Sequence, residues 1–122
     1  MNNSIAVIIL TFNEEIHIER CIRSVKAVTD EIIVVDSFST DRTCEIAKEL
    51  GAVVYQHQFV NYAKQFNWAI ENCDIRAQWI WRLDADEYIE TPLAEKALQT
   101  LATISEDVHP SICLHKPQIL FA

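Results

Sequence analysis

Four short apolar runs rich in β-branched residues alternate along the chain with segments of helical periodicity. The first run, SIAVIILT at residues 4–11, is continuously apolar at its centre, which is typical of a strand buried on both faces. The other runs cover residues 31–36, 52–56 and 78–83. Because buried strands separated by helices pair in parallel through right-handed crossovers, the pattern predicts an α/β fold with an open, mostly parallel sheet flanked by helices.

Segments of helical periodicity follow these strands. Asn13 is placed to be the N-cap of the first helix, with Glu14 and Glu15 in its electropositive first turn. Gly51, the one glycine of the chain, lies where a C′ cap of the second helix belongs. The pattern predicts helices over about residues 13–25, 43–50, 61–72 and 91–101, and a fifth strand within residues 112–121.

Composition narrows the class of protein. A length of 122 residues predicts one domain, and 50% hydrophobic with 23% charged residues favours a folded globular chain over a disordered one. There are 10 basic and 18 acidic residues and no basic patch, so nucleic acid is not expected as a partner. No apolar run reaches the roughly 18 residues that span a bilayer. The first residues lack the basic segment and the cleavage site of a signal peptide, so we do not interpret them as one.

The cysteine spacing and the single glycine exclude several kinds of binding site. Cys21, Cys44, Cys73 and Cys113 are widely spaced and form no CxxC pair, so we interpret them as reduced core thiols of a cytoplasmic protein. With one glycine, neither a P-loop nor a GxGxxG dinucleotide loop can be built. Any phosphate must therefore be held by a metal, by helix N-termini or by isolated basic residues.

Carboxylates follow the predicted strands where ligands bind in open α/β sheets, beyond the strands' carboxyl ends. Asp36 ends the second run, and Asp84 and Asp86 follow the fourth, where an extended chain would point both carboxylates the same way. Converging carboxylates repel one another unless a cation lies between them, and a hard divalent cation prefers oxygen ligands. We therefore expect a cation site at this edge. The alternative for Asp84 and Asp86 is a solvated acidic turn that leads into a helix. The alternative for Asp36 is a strand-end cap that bonds the backbone of the following turn.

Other residues near this edge suit a nucleotide. Phe12, directly after the first strand, is well placed to form the wall of a base pocket. Lys64 and Arg82 are the cations expected nearest the cleft. Lys64 is either a solvated helix residue or a contact of a diphosphate. Arg82 is expected to pair with a neighbouring acid.

Three segments carry a resemblance to a known family. They read IILTFNEEIHIERCIRSV, EIIVVDSFSTDRTCEIAKELGA and WIWRLDADEYI. In this order and spacing they resemble the N-terminal, donor-binding half of family 2, GT-A-type nucleotide-sugar glycosyltransferases, over roughly residues 4–104. The chain looks most like the branch that adds sugars to lipopolysaccharide cores, which includes the β-glucosyltransferases of lipooligosaccharide cores.

The resemblance implies site residues. Asp84-Ala85-Asp86 matches the DxD motif, so Asp86 would coordinate Mg²⁺ or Mn²⁺ and Asp84 would lie by the ribose and the water ligands of the metal. Phe12 would stack on the base, and Asn13 and Glu14 would belong to the turn that contacts the nucleotide. Asp36 stands at the strand end that usually meets uracil or ribose. Lys64, from its place in the sequence and not from the resemblance, is the predicted contact of the diphosphate.

The resemblance also implies a function. It predicts a Rossmann-like GT-A fold, with residues 1–122 as one donor-binding domain truncated before the acceptor-binding half, so that the general base lies beyond Ala122. The reaction would be metal-dependent, inverting transfer of a hexose from a UDP-sugar, or a GDP-sugar, to a surface-glycan or lipopolysaccharide-type acceptor. The expected location is the cytoplasm or the inner face of the membrane, with peripheral membrane association of the full-length protein.

Two positions depart from the pattern of the family. The common Asp-Asp-Gly-Ser reads Asp36-Ser37-Phe38-Ser39 here, so Ser37 replaces a carboxylate and Phe38 replaces a glycine that would take a positive φ cheaply.

Three alternative functions remain open. They are a sugar-1-phosphate nucleotidyltransferase, a receiver-like phospho-acceptor module, and an inactive fragment that retains only donor and metal binding.

Overall fold

The computed structural model describes residues 5–90, 92, 95–96, 99 and 118–121. Within this part of the chain, five parallel strands form one sheet and three helices pack against it. The strands are β1 (Ile5–Thr11), β2 (Glu31–Asp36), β3 (Val53–Gln56), β4 (Trp79–Asp84) and β5 (Gln118–Phe121). The helices are α1 (Ile18–Val25), α2 (Thr43–Glu49) and α3 (Tyr62–Asn72).

The strand order is β3-β2-β1-β4-β5, and every pair is parallel. The chain runs outward from β1 to β3 and then returns to place β4 on the other side of β1. The crevice beyond the carboxyl ends of β1 and β4 is therefore the topological switch point, where such sheets bind ligands. The predicted α/β fold is confirmed. The order also differs from the 2-1-3-4-5 order of receiver domains, which argues against that alternative.

Burial of β1 on both faces explains its continuous apolar run. All seven of its residues are buried. Val7 and Ile9 face α1, where they join Ile22 in one apolar cluster. Ile8 and Leu10 face α3 and belong to a second cluster with Phe66, Ala69 and Ile33. Helices thus cover both faces of the sheet. The residues that follow the central strand β1, beginning with Phe12, lie at the switch point.

The start of the first helix differs from the sequence expectation. Asn13 is not its N-cap, because α1 begins at Ile18 and the preceding residues form a turn in which the Glu14 carbonyl oxygen accepts from the His17 and Ile18 N–H groups. Asn13 lies in the left-handed region with φ 51°. Its side-chain oxygen accepts from the Thr40 N–H at 2.9 Å, so it caps a neighbouring loop instead.

The acidic segment after β4 also differs from expectation. The extended conformation predicted for Asp84-Ala85-Asp86 is wrong, because β4 ends at Asp84 and the chain turns there. The Glu87 N–H closes this turn on the Asp84 carbonyl oxygen at 2.9 Å. The two carboxylates therefore line the crevice from the end of β4 and the turn that follows it, and not from alternate positions of one extended strand.

Several smaller expectations can be compared with the described residues. Gly51 follows α2 with φ 95°, as predicted for a C′ cap. Cys21 and Cys73 are buried free thiols, Cys44 is a half-buried free thiol, and Cys113 lies outside the described residues. Most of the helix predicted over residues 91–101 also lies outside them, whereas β5 confirms a strand within residues 112–121. In the described part of the chain, no helix is both long and apolar enough to cross a membrane.

Candidate functional site

A pocket of about 510 Å³ lies beyond the carboxyl ends of the strands at the switch point. Its lining follows the strand order of the sheet, with aromatic residues after β1, β2 and β3 and acidic residues after β4. We call Phe12, Phe38, Phe59 and Tyr62 the aromatic side, and Asp84 and Asp86 the acidic side. The remaining lining residues are Leu10, Thr11, Glu14, Ser37, Gln58 and Ala85.

The aromatic side is unusually exposed. The Phe12 side chain is 59% exposed and the Phe38 side chain 60%. Phe59 and Tyr62 are also exposed and pack edge to face, with ring centroids 5.2 Å apart. Exposed rings that line one pocket beside polar groups are typical of a surface that a ligand covers. These flat faces suit a planar ring such as a nucleobase.

The acidic side concentrates negative charge. Partial burial raises the pKa of Asp84, and the neighbouring Glu87 carboxylate raises it further, against the opposing effect of Arg82. Asp86 and Glu14 add smaller contributions in the same direction as Glu87. The local environment therefore disfavours another negative charge and favours a bound cation.

The described residues alone do not complete a metal centre. Among them, no group of three or more His, Cys, Asp or Glu side chains is placed to hold a metal ion. Asp84 and Asp86 can supply carboxylate oxygens, and both line the pocket. Mg²⁺ is commonly held by one or two carboxylates together with the phosphates of a substrate. The donor set fits a divalent cation that a diphosphate helps to coordinate.

Asp36 has a different environment from the other two acids. It is fully buried (0% exposed), and its carboxylate accepts from the Thr11 hydroxyl at 2.6 Å, the Ser39 hydroxyl at 2.5 Å and the Ser39 N–H at 2.8 Å. Burial tends to raise its pKa, but the hydrogen bonds from Ser39 and Thr11 outweigh burial and lower it. Asp36 is not among the residues that line the pocket with Asp84 and Asp86, because local hydroxyls hold its carboxylate. Its role as a nucleotide contact stays a prediction.

The loop after β1 is held by the hydroxyl-rich segment 39–43 of the loop after β2. The Asn13 N–H donates to the Ser39 hydroxyl at 2.8 Å, and the Glu14 N–H donates to the Thr43 hydroxyl at 2.8 Å. Thr43 is fully buried, and its hydroxyl donates in turn to the Asp41 carboxylate. These bonds fix the loop that carries Phe12 into the pocket. Segment 39–43 therefore positions the site without lining it.

Some of the predicted site residues line the pocket, and others hold the loops that surround it. Phe12, Glu14, Asp84 and Asp86 line the pocket, whereas Asn13 holds the neighbouring loop. Lys64 is exposed on α3 and is not among the lining residues.

Of the two cations expected near the acidic side, Arg82 lies close enough to Asp84 to oppose the rise in its pKa. Arg82 lines a smaller pocket of about 240 Å³, and its guanidinium lies 5.7 Å from the Phe66 ring centroid. Arg20 also reaches the turn after β4, donating to the Asp86 carbonyl oxygen at 3.3 Å, and its guanidinium lies 4.4 Å from the Tyr88 ring centroid. Sequence reasoning missed Arg20, because no local pattern links a residue of α1 to a turn after β4.

Gln65 is a second supporting residue that sequence reasoning missed. It is only 1% exposed, and its Nε2 donates to the Ser37 hydroxyl at 3.1 Å and to the His57 carbonyl oxygen at 3.2 Å. Its Oε1 lies 2.7 Å from His57 Nδ1. Gln65 thus orients Ser37 at the pocket wall. A polar residue four positions before Ala69, on the inward face of α3, was the available signal.

With this geometry established, similarity to known proteins assigns the family. The family profile described as Glycosyl transferase family 2 matches residues 6–112. The chain therefore belongs to glycosyltransferase family 2. This confirms the resemblance on which the sequence analysis relied.

Two relatives illustrate how much of such a protein the chain represents. A protein of Rickettsia bellii described as an uncharacterized glycosyltransferase is 39% identical over 107 residues, which is 88% of this chain and 36% of that protein. The lipopolysaccharide core biosynthesis glycosyltransferase LpsC of Rhizobium meliloti is 31% identical over 109 residues, covering 85% of this chain and 39% of LpsC. The chain thus spans little more than a third of the length of these relatives.

Solved structures share the fold. The S. aureus TarS structure of residues 1–349 superposes with a TM-score of 0.70 and 26% identity, over 84% of this chain and 32% of that one. The glucosyl-3-phosphoglycerate synthase of Mycobacterium tuberculosis in complex with Mn²⁺ and UDP-glucose gives a TM-score of 0.66 and 25% identity. That match covers 88% of this chain and 42% of the synthase chain.

Proposed function

We propose that this chain forms the donor-binding half of an inverting glycosyltransferase that uses a nucleoside diphosphate sugar, most simply a UDP-sugar. The observation that carries the proposal is one pocket, at the switch point of the sheet, with exposed rings at one end and two carboxylates at the other. A nucleoside diphosphate bound with a divalent cation has the matching chemistry, because it is flat and apolar at the base and anionic at the phosphates.

The acidic side would hold Mg²⁺ or Mn²⁺ through Asp86, with Asp84 at the ribose and the water ligands of the metal. When bound, the cation would neutralise the charge that develops on the departing diphosphate. Asp84 and Asp86 also repel an unaccompanied diphosphate, so the chain should bind nucleotide more strongly with the cation than without it. Support comes from the synthase structure that holds Mn²⁺ and UDP-glucose on a similar fold.

The aromatic side would bind the base. Phe12 is exposed, lies at the end of the central strand and is fixed there by the hydrogen bonds of the following loop, so it loses little freedom when a base stacks on it. Glu14 lines the same pocket and would be a polar contact of the nucleotide. Asn13 and Asp36 would act through the loop that they hold, and Lys64 stays a predicted diphosphate contact.

Sugar transfer also needs a general base, and no residue of this chain is identified as that base. An acceptor hydroxyl, deprotonated by a carboxylate expected beyond Ala122, would attack the anomeric carbon from the face opposite the leaving diphosphate. The hexose would then be transferred with inversion. The similarity to LpsC supports a lipopolysaccharide-type or other surface-glycan acceptor. A cytoplasmic location, with peripheral association at the inner face of the membrane, stays a prediction from sequence.

Calorimetric titration of the purified protein with UDP-glucose, with and without Mn²⁺, tests the proposal. We expect binding that Mn²⁺ strengthens, and an Asp86→Asn variant whose affinity no longer responds to Mn²⁺. Asp30→Asn is the matched control, because Asp30 is exposed and does not line the pocket. Equal binding with and without Mn²⁺, or an unchanged response in Asp86→Asn, would refute the metal assignment.

A further inference from the structure

Phe38 combines two features that a folded chain usually avoids. Its backbone lies in the left-handed region with φ 57°, which is strained for a residue with a bulky side chain. Its ring is also 60% exposed to solvent. Phe38 and Asn13 are the two non-glycine residues with positive φ in the described part of the chain, and Asn tolerates that region far better.

The Phe38 ring lies outside the apolar core of the described residues, and the hydrogen bond of this residue is made by its backbone. The Phe38 N–H donates to Gln56 Oε1 at 2.9 Å, a bond that glycine would make equally well. The ring belongs to neither of the apolar clusters that pack on the described faces of the sheet. It lines the pocket, two residues after the end of β2. Backbone strain retained at a binding surface is a reason to suspect a functional side chain.

The position of the ring in the pocket indicates what it would contact. Strands β2 and β1 are adjacent, so the loops that carry Phe38 and Phe12 lie side by side, whereas β4 places the carboxylates on the other side of β1. The diphosphate must lie near those carboxylates if a cation joins them. The base would then lie on the aromatic side of the pocket. Ser37 lines the pocket there with a neutral hydroxyl, which accepts a hydrogen bond from Gln65.

We propose that Phe38 is a base-contacting residue, a second aromatic face beside Phe12, and that its positive φ directs the ring into the pocket. This inference rests on the proposed function, because it takes a nucleoside diphosphate as the ligand. It adds a base-contacting residue at a position where the sequence pattern of the family has glycine. Phe38 thus contributes affinity for the base at the cost of local backbone strain.

Three substitutions separate the ring from the strain. Phe38→Ala removes the ring and keeps the strained backbone, Phe38→Gly removes both, and Phe38→Trp keeps an aromatic face. With Mn²⁺ present, we expect Ala and Gly to weaken UDP binding by about tenfold, and Trp to stay within about threefold of the parent. Thermal unfolding should show a higher Tm for Gly than for Ala. The matched control is Ile16→Ala, because Ile16 is 85% exposed and lies outside the pocket lining.

A second probe distinguishes contact with the base from an indirect effect on the loop. Inorganic pyrophosphate with Mn²⁺ presents the phosphates without a base, so its affinity should be the same in the parent and in all three variants. Unchanged UDP binding in Phe38→Ala and Phe38→Gly would overturn the inference while leaving the proposed function intact. An equal loss of pyrophosphate binding would also overturn it. A parent protein that binds neither UDP nor pyrophosphate would overturn both proposals.

Discussion

The buried carboxylate of Asp36 gives the sharpest test of how the site is supported. It accepts hydrogen bonds from the hydroxyls of Thr11 and Ser39 and from the Ser39 N–H, and the Cys44 thiol also contributes. An Asp36→Asn substitution keeps the size of the side chain but replaces one accepting oxygen with a donating NH₂ group. In one amide orientation the Ser39 N–H loses its acceptor, and in the other the two hydroxyls lose theirs.

The expected cost follows from these bonds. Leaving one buried donor without its charged acceptor costs about 1.5–3 kcal/mol, and the remaining bonds weaken because they are no longer charge-assisted. We therefore expect the free energy of unfolding to fall by about 2–4 kcal/mol in Asp36→Asn. Urea unfolding at neutral pH, with the m-value compared between variants, measures this change.

The pH dependence supplies an independent signature. Because the folded-state pKa of Asp36 is lowered below its ordinary value of 3.8, its contribution to stability is fully present above that value. The contribution is lost as the pH falls through the lowered folded-state pKa. The difference in stability between the parent and Asp36→Asn should therefore stay constant above pH 4 and shrink in stronger acid. A loss below about 1 kcal/mol at neutral pH, or no larger than that of the exposed control Asp30→Asn, would refute this reasoning.

Two further variants test the supporting hydrogen bonds. Thr43→Val keeps the shape of a fully buried side chain but leaves the Glu14 N–H without its acceptor, so unfolding free energy should drop by about 1–3 kcal/mol in urea titrations; an unchanged midpoint would contradict the role of Thr43. Gln65→Leu removes the partner of Ser37 and His57, and thermal unfolding should report a loss of similar size, about 1–3 kcal/mol. A fully stable Gln65→Leu protein would show that Ser37 and His57 need no partner there.

The fold was predictable because its signals are local and periodic. The apolar run of β1 predicts burial on both faces, and helices packed on both faces of the sheet account for it. Asp84 and Phe12 follow strands, and parallel strands bring their carboxyl ends to one edge, so their common pocket also followed from the sequence.

The supporting contacts were not predictable because they depend on tertiary packing. The bond from Thr11 to Asp36 joins residues 25 positions apart, and that from Glu14 to Thr43 joins residues 29 apart. An acid at a strand end and an Asn before a helix look the same in sequence whether they bind a ligand or a neighbouring loop. For this reason the pattern misplaced Asn13 at a helix cap and left two roles open for Asp36.

A crystal structure of the protein with Mn²⁺ and UDP, recorded near the manganese absorption edge, tests the central claim most directly. The account predicts an anomalous peak for Mn²⁺ in contact with the carboxylate of Asp86 or Asp84 and with the diphosphate. It also predicts the uracil ring on the aromatic side, against Phe12 and Phe38. Nucleotide outside the pocket, or Mn²⁺ without contact to either carboxylate, would contradict the account.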